Sequence, residues 1–429
     1  PAGWPLQPRG AHPRTSVPFT ALKLHSNLVR GIKDLGFARP SPIQAEAIPP
    51  ALQGRDVLAC AMPGSGKTAA FLLPIMHRLM DRPRGTTRAL VLTPTRELAG
   101  QILGGLDDLA VHTPISGAAV FGGVGMGPQE HAFRSGVDVL IATPGRLLDH
   151  FSYPYAKLRG LDILVLDEAD RMLDMGFLPD IKRVLRHIPE RRQTLFFSAT
   201  MPAPIAELAH QMLKQPVNIN LARQVAPAVG VTQAVYPVAQ ELKASLLVAL
   251  LERGDLDDAL VFTRTKHRAD RLADFLVRQG IKAERIHGNR SQNQRTMALA
   301  GFKSGKHRVL VATDIAARGL DVAQLPLVVN FDLPLVAEDY VHRVGRTGRA
   351  GVPGHAVSLV TTEEKPLLHE IQKLLSAPLE HAIVQGFEVS NVGARPAHPR
   401  ENRGNNHRRE FKPHWQSRHA GRNTAGGFK

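Results

Sequence analysis

Cysteine is almost absent: Cys60 is the single one in 429 residues. Disulfides within the chain and cysteine-rich zinc sites are therefore excluded. Cys60 stands in an apolar stretch and reads as a small buried residue, not a reactive thiol. The 19 histidines form no HExxH pair, so the usual helical zinc signature is missing too. No apolar run approaches the ~18 residues of a membrane helix. The opening Pro1-Ala2-Gly3-Trp4-Pro5 has no apolar signal core, which argues against export. The expectation is a protein of the reducing cytoplasm with no membrane partner. The initial Met is missing as well, which reads as trimming or an incomplete chain.

Acidic residues are also scarce: 38 Asp+Glu stand against 54 Lys+Arg, a net charge of +16. Such an excess invites a polyanion, nucleic acid first, and otherwise serves only solubility. With 43% apolar and 21% charged residues, the chain has an ordinary globular composition. Its length predicts two or three domains, each with its own core.

The stretch from Asp56 to Ala70 organises the rest. Asp56 to Ala61 reads as a short buried strand, Pro63-Gly64-Ser65-Gly66 breaks it, and Lys67-Thr68 opens a helix. A strand, a glycine loop, Lys-Thr and a helix make a phosphate cradle. Backbone N–H groups and the helix end face the anion, Lys67 reaches the outer phosphates, and the Thr68 hydroxyl is placed for Mg²⁺. The general pattern wants a glycine where Ala61 stands. Gly64 and Gly66 remain where the backbone must approach phosphate closely. The expected ligand is a nucleoside triphosphate.

Residues 1–16, rich in Pro, Arg and Gly, predict disorder. From Phe19, the residues Leu22, Leu24, Leu28, Ile32 and Leu35 are spaced for one face of one helix ending at Gly36. Pro40 and Pro42 then fix a rigid turn into a helix carrying Gln44. A fixed glutamine has a donor and an acceptor, enough to read a purine edge, although helix punctuation explains the segment equally well. Downstream, Ala89–Leu92, Val139–Ile141, Ile163–Leu166 and Leu195–Phe197 are apolar runs separated by helical patterns. They end at Thr93-Pro94-Thr95-Arg96, Thr143-Pro144-Gly145-Arg146, Asp167-Glu168-Ala169-Asp170 and Ser198-Ala199-Thr200. Such runs predict a parallel α/β sheet covered on both faces, with its functional edge at the strand ends.

Residues 221–231 read as a linker. The rhythm restarts at Leu260–Phe262, Arg285–Ile286, Val309–Val311 and Leu327–Val329, without a second phosphate loop. A second α/β domain that assists the first is expected. Residues 391–429 carry nine Lys/Arg against two Glu, a flexible basic tail with Phe411 and Trp415 among the charges.

Asp167 and Glu168 follow an apolar strand 100 residues beyond Lys67. One carboxylate there suits Mg²⁺ and the next suits orientation of an attacking water. At this point the chain resembles a DEAD-box RNA helicase of superfamily 2. Gly36-Phe37 with Pro40-Ser41-Pro42-Ile43-Gln44 and the upstream Phe19 resemble the Q motif. AMPGSGKT, PTRELA, Gly122-Gly123, TPGR, DEAD and SAT follow in family order, then LVFTRT, Gln292 with Arg295, TDIAARGLD and HRVGRTGR. The match spans about residues 17–385, and the tail resembles the bacterial RhlE-like subgroup.

The resemblance implies two RecA-like domains in tandem: a Q-motif region at 17–45, an ATP-binding domain at 46–220 and a C-terminal helicase domain at 232–385. ATP and Mg²⁺ would be used in the cleft between them. Gln44 would read adenine with Phe37 stacked near it and Phe19 beside it. Ala61, Met62, Pro63, Gly64, Ser65, Gly66, Lys67 and Thr68 would cradle the phosphates. Thr68 and Asp167 would hold Mg²⁺, and Glu168 would activate water. Asp321 would touch the nucleotide from the second domain, with Arg346 and Arg349 as arginine fingers. RNA would meet Pro94, Thr95, Arg96, Gly123, Thr143, Arg146, Gln292, Arg295 and Thr313 without regard to sequence. Ser198 and Thr200 would couple hydrolysis to strand separation.

Ser41 and Pro63 depart from the family's usual threonines, and Pro63 costs the loop one N–H and one hydroxyl. Gly122-Gly123 and Gly288 also read as plain turns. The implied activity is ATP-dependent local unwinding of short RNA duplexes and remodelling of ribosomal or other RNA–protein assemblies. An ATP-gated RNA clamp or assembly scaffold is the alternative; a P-loop ATPase acting on DNA or protein fits the motifs less well.

Overall fold

The computed structural model describes residues 17–62, 64–221, 231–253, 258–317, 325–348 and 354–387. The expected N-terminal segment, most of the linker and the basic tail lie outside these residues.

Two parallel sheets of seven strands each carry the described chain. The first has β1 (Val57–Cys60), β2 (Ala89–Leu92), β3 (Gly117–Val120), β4 (Val139–Ala142), β5 (Ile163–Leu166), β6 (Gln193–Ser198) and β7 (Val217–Asn220). Their order is β3-β4-β2-β5-β6-β1-β7. The second has β8 (Val231–Pro237), β9 (Ala259–Thr263), β10 (Ala283–Ile286), β11 (Val309–Thr313), β12 (Leu327–Asn330), β13 (Gly354–Val360) and β14 (Glu380–His381). Their order is β10-β11-β9-β12-β13-β8-β14. The expected two α/β domains are therefore present.

Continuous apolar strands arise here because both faces are covered. In β2, Ala89 and Val91 join the core on one face, while Leu90 and Leu92 join the core on the other. Phe196 and Phe197 divide between the same two cores. Phe197 meets Phe71 with ring centroids 5.5 Å apart, a tilted contact that aromatic rings favour.

Register sets the functional edge. Leu92 pairs with Ala142 and Leu166, Leu166 with Phe196, and Cys60 with Ser198. The strands thus end together, and Thr143, Thr93, Asp167, Ser198 and Ala61 emerge side by side. In the second sheet Thr313 lies beside Thr263, and Asn330 beside Phe262.

The single helix expected from Phe19 to Leu35 is not formed. A 3₁₀ turn (Phe19–Leu22) precedes α1 (Ser26–Asp34), and Lys23 between them is left-handed at φ 54°. His25 enforces the break by capping α1: its Nδ1 accepts the Asn27 N–H at 3.2 Å. Leu22, Leu24, Leu28 and Ile32 still reach the core, whereas Leu35 is exposed. The spacing reported burial at four of the five positions, across two elements. Cys60 is half-buried, its Sγ donates to the Ala199 carbonyl at 3.2 Å, and burial pushes the thiol up. Its burial is thus partial, short of the full burial expected from the sequence.

Candidate functional site

At the end of β1 the chain enters the glycine loop and then α3 (Lys67–Leu79). Gly66, the N-cap of α3, has φ 96°. A Cβ there would lie 2.5 Å from Gln44 Nε2 and 2.9 Å from Ser41 Oγ, so both the angle and the space require glycine. Gln44 stands in the first turn of α2 (Pro42–Leu52), whose N-cap is Ser41. Gln44 Oε1 accepts the Ser41 N–H at 2.9 Å, and Nε2 donates to the Gly66 carbonyl at 3.0 Å. The glutamine is locked against the phosphate loop. It retains one N–H and one lone pair on a carboxamide that is not free to turn.

Lys67 is buried and donates to the Ala61 carbonyl at 3.0 Å. Asp167 leaves β5 with its N–H on the Leu92 carbonyl at 2.9 Å and is 3% exposed. Burial lifts its carboxyl to about 7; nearby Lys67 opposes the rise and Glu168 adds to it. Asp167 Oδ1 is buried without a hydrogen-bond partner, as is Ser65 Oγ in the loop. A buried acceptor left open in this way fits a cation. Among the described residues no cluster of three or more His, Cys, Asp or Glu is arranged to hold a metal. The open Asp167 oxygen fits an ion that would share its coordination with phosphate oxygens and water, as Mg²⁺ does.

Glu168 caps α7 (Ala169–Asp174) in the left-handed region, at φ 53° and ψ 52°. For a non-glycine residue this costs ~1 kcal/mol or more, and such strain collects at working sites. Asp170 Oδ2 accepts the Thr200 N–H at 2.8 Å and the Thr200 hydroxyl at 2.9 Å. Ser198 Oγ accepts the Asp170 N–H at 3.2 Å and donates to the Thr200 carbonyl at 2.7 Å. The DEAD and SAT segments are one hydrogen-bonded unit.

A second group of expected residues gathers after the ends of β2, β3 and β4. Thr95 caps α4 (Arg96–Ala110), its hydroxyl accepting the Leu98 N–H at 3.2 Å. Thr143, directly after β4, occupies the N-cap position of α6 (Pro144–Phe151), and Pro94 follows β2. Gly123, at φ 84°, lies so close to Arg96 that a Cβ would collide with the guanidinium. Arg146 donates to the Phe121 and Val124 carbonyls at 3.2 and 2.8 Å. Burial holds Arg96 below the usual guanidinium range, and Arg295 and Arg146 push it the same way. Glu97 opposes them, so three cations from two domains share one place with a single carboxylate, an excess of positive charge that suits a polyanion.

Gln292 and Arg295 reach across to the first domain. Both meet Glu97, at 3.1 and 2.9 Å. Thr313 is half-buried at the end of β11. Arg346 lines a small cleft with Arg171, Asp314 and Asp339. Phe19 is buried in the core, and Phe37 is 53% exposed. Pro63, Asp321 and Arg349 lie outside the described residues.

Sequence reasoning assigned no role to Glu97, Asp170, Arg171 or Asp339. Glu97, Asp170 and Arg171 stand inside or beside quoted motifs, so a question about what each acid and base pairs with would have raised them. Asp339 carries no local signal.

Residues 41–208 match the family described as DEAD/DEAH box helicase, and residues 242–351 match the helicase conserved C-terminal domain. The chain is 43% identical over 362 residues to the DEAD-box ATP-dependent RNA helicase RhpA of Helicobacter pylori, covering 84% of this chain and 73% of that one. It is 41% identical over 355 residues to CshA of Bacillus cereus, also a DEAD-box ATP-dependent RNA helicase, covering 83% and 67%. Its fold resembles S. cerevisiae Dbp5 bound to RNA and ADP BeF3, with a TM-score of 0.76 and 29% identity over 85% of this chain and 95% of that one. With the phosphate loop, the DEAD–SAT unit and both matched halves in one order, the chain belongs to the DEAD-box family of ATP-dependent RNA helicases.

Proposed function

We propose that this chain hydrolyses ATP between its two domains and uses the closure to open short RNA duplexes locally and to remodel RNA–protein complexes. The observation that carries the reading is the buried Asp167 carboxylate, beside Lys67 and with one oxygen open. Gln44 reads adenine with its remaining N–H and lone pair, and Phe37 lies against the base with Phe19 supporting the segment from below. Ala61 to Thr68 enclose the phosphates, and Lys67 neutralises the outer ones. Thr68 and Asp167 hold Mg²⁺, which when bound supplies positive charge to the phosphate oxygens. Glu168, fixed by its backbone at the N-cap of α7, orients the attacking water and takes its proton. Arg346 and Arg349 neutralise charge that develops on the transferred group, while Asp321 touches the nucleotide.

RNA is the polyanion that the crowded arginines suit. Thr95, Arg96, Gly123, Thr143 and Arg146, with Pro94 beside them, contact phosphate and ribose from the first domain. Gln292, Arg295 and Thr313 contribute from the second, Gln292 and Arg295 after exchange with Glu97. Such contacts carry no base information, so recognition is insensitive to sequence. Ser198 and Thr200 relay the state of the Asp167–Asp170 segment. The proposed boundaries are 17–45 for the Q-motif region, 46–220 and 232–385 for the two domains, 221–231 for the linker and 391–429 for an RNA-gripping tail. The cytoplasm is the proposed location.

ATP hydrolysis measured with and without RNA, beside unwinding of a short duplex, tests the reading. RNA should stimulate hydrolysis, and strand separation should require ATP. ATP-dependent RNA retention with no strand separation would make the chain a clamp instead. Hydrolysis indifferent to RNA would contradict both readings.

A further inference from the structure

The loop Phe121–Gly125 joins β3 to α5 (Met126–Ser135). It is neither strand nor helix, with a turn at Gly122-Gly123, and it carries the glycines packed on Arg96. Two side chains bridge it: Arg146, from Phe121 to Val124, and Gln129, from Phe121 to Gly125. Gln129, on α5 and 5% exposed, accepts the Phe121 N–H at 3.1 Å and donates to the Phe121 carbonyl at 3.1 Å. It also donates to the Gly125 carbonyl at 3.2 Å. Its carboxamide therefore pairs with the backbone at both ends of the loop.

The remaining capacity of that carboxamide is used as well. His150 of α6 is fully buried, and its Nε2 meets Gln129 Oε1 at 3.3 Å. Oε1 only accepts, so His150 carries its proton on Nε2. Its Nδ1 then accepts the Tyr155 hydroxyl proton at 2.9 Å. The line Tyr155–His150–Gln129 is hydrogen-bonded throughout and meets the loop backbone at Phe121 and Gly125. A half-satisfied buried network would cost more than an apolar one. The Gln129 bonds tie both ends of the loop to α5.

We infer that Gln129 is a positioning residue for the RNA contacts of the first domain, acting through the Phe121–Gly125 backbone. This rests on the RNA reading of the same surface. Gln129 does not touch RNA. It fixes where the Gly122-Gly123 backbone stands, and so where the guanidiniums of Arg96 and Arg146 rest against it. His150 orients the Gln129 carboxamide.

Two substitutions separate the parts. Gln129→Glu keeps the acceptor for Phe121 and His150 but removes both donors. Gln129→Met keeps the length and removes every hydrogen bond. Amide hydrogen exchange without RNA tests the clamp itself: Gln129→Glu should exchange faster across 121–125 while the strands of the first sheet stay protected. RNA titration of ATPase then tests its purpose. The half-stimulating RNA concentration should rise ~10-fold or more, with a much smaller change in maximal rate and in ATP affinity. The slope of log affinity against log salt should fall by roughly 1 unit, because a positioned phosphate contact is lost. Unchanged exchange in a folded variant would overturn the clamp. Faster exchange with unchanged RNA affinity and salt slope would overturn the positioning role. Equal losses of ATP binding, RNA binding and melting temperature would make Gln129 a general support of the fold, which also overturns it. If the unaltered protein binds no RNA, the reading beneath the inference fails, and the exchange result alone remains.

Discussion

Arg171 of the first domain donates to Asp339 of the second at 2.6 Å, with the guanidinium 4% and the carboxylate 17% exposed. The Arg171 N–H in turn donates to Asp170 Oδ1 at 3.1 Å, and Asp170 holds Thr200. One line of contacts thus runs from the second domain to the helix capped by Glu168. A pair this well buried is not screened as a surface bridge is, and removing one partner costs on the order of 3 kcal/mol. Asp339→Ala should therefore lower the maximal RNA-stimulated ATPase rate by ~10-fold or more, with ATP affinity little changed. The exchange of charges, Arg171→Asp with Asp339→Arg, should recover part of that loss. A double variant no better than the worse single one would sink the proposed coupling.

Asp167 links the site to pH. Its folded carboxyl is raised to about 7 from an ordinary 3.8. Between these values the folded state keeps a proton that the unfolded state has lost, so stability falls as pH rises through the window. Above it the full deficit remains. Asp167→Asn should accordingly melt higher than the unaltered, ligand-free protein at about pH 8, and the difference should shrink toward about pH 4. Melting curves across this range decide the matter; parallel pH profiles would mean that Asp167 ionises freely in the fold.

Gly66→Ala places a Cβ against Gln44 Nε2 and at φ 96°. It should loosen the glutamine from the loop, weakening ATP binding and narrowing the preference for ATP over GTP. Gln44→Ala should narrow the same preference. Competition between the two nucleotides measures it, and equal use of both by the unaltered protein would dismiss Gln44 as the reader of adenine.

The basic tail predicts a separable effect. The motifs of the ATPase end by Arg349, so a chain cut after Ser390 should still hydrolyse ATP at nearly its full maximal rate. Each phosphate neutralised on a single strand adds roughly 0.7 to the salt slope, so losing four contacts would reduce it by roughly 3 units. RNA titrations at several salt concentrations should show weaker binding at low salt. Superimposable curves would assign the tail to another partner.

How much was legible in advance depended on where burial leaves its mark. Ala89–Leu92 and Ile163–Leu166 match β2 and β5 residue for residue, because both faces of these strands demand apolar side chains. The edge strands β3, β7 and β14 went unread: Gly117–Val120 is built of small residues, Val217–Asn220 alternates with asparagine, and Glu380–His381 is exposed. In β8 and β13 polar residues such as Gln233 and Ser358 interrupt the pattern. The phosphate loop and the carboxylates stood out because their chemistry is local to a few residues. Arg171 and Asp339 are separated by 168 positions, and only the packing of two domains brings them together. His150 looked unremarkable for the same reason: its partners come from α5 and from Tyr155.

In the proposed reading ATP is turned over where Asp167 and Glu168 leave β5. Glu168→Gln keeps the size of the side chain and removes the base. Its ATPase rate at saturating RNA should be measured beside ATP-dependent RNA binding. Both ligands should still bind, with turnover reduced ~10²-fold or more. Turnover within a factor of about two of the unaltered protein would contradict it and move the base elsewhere.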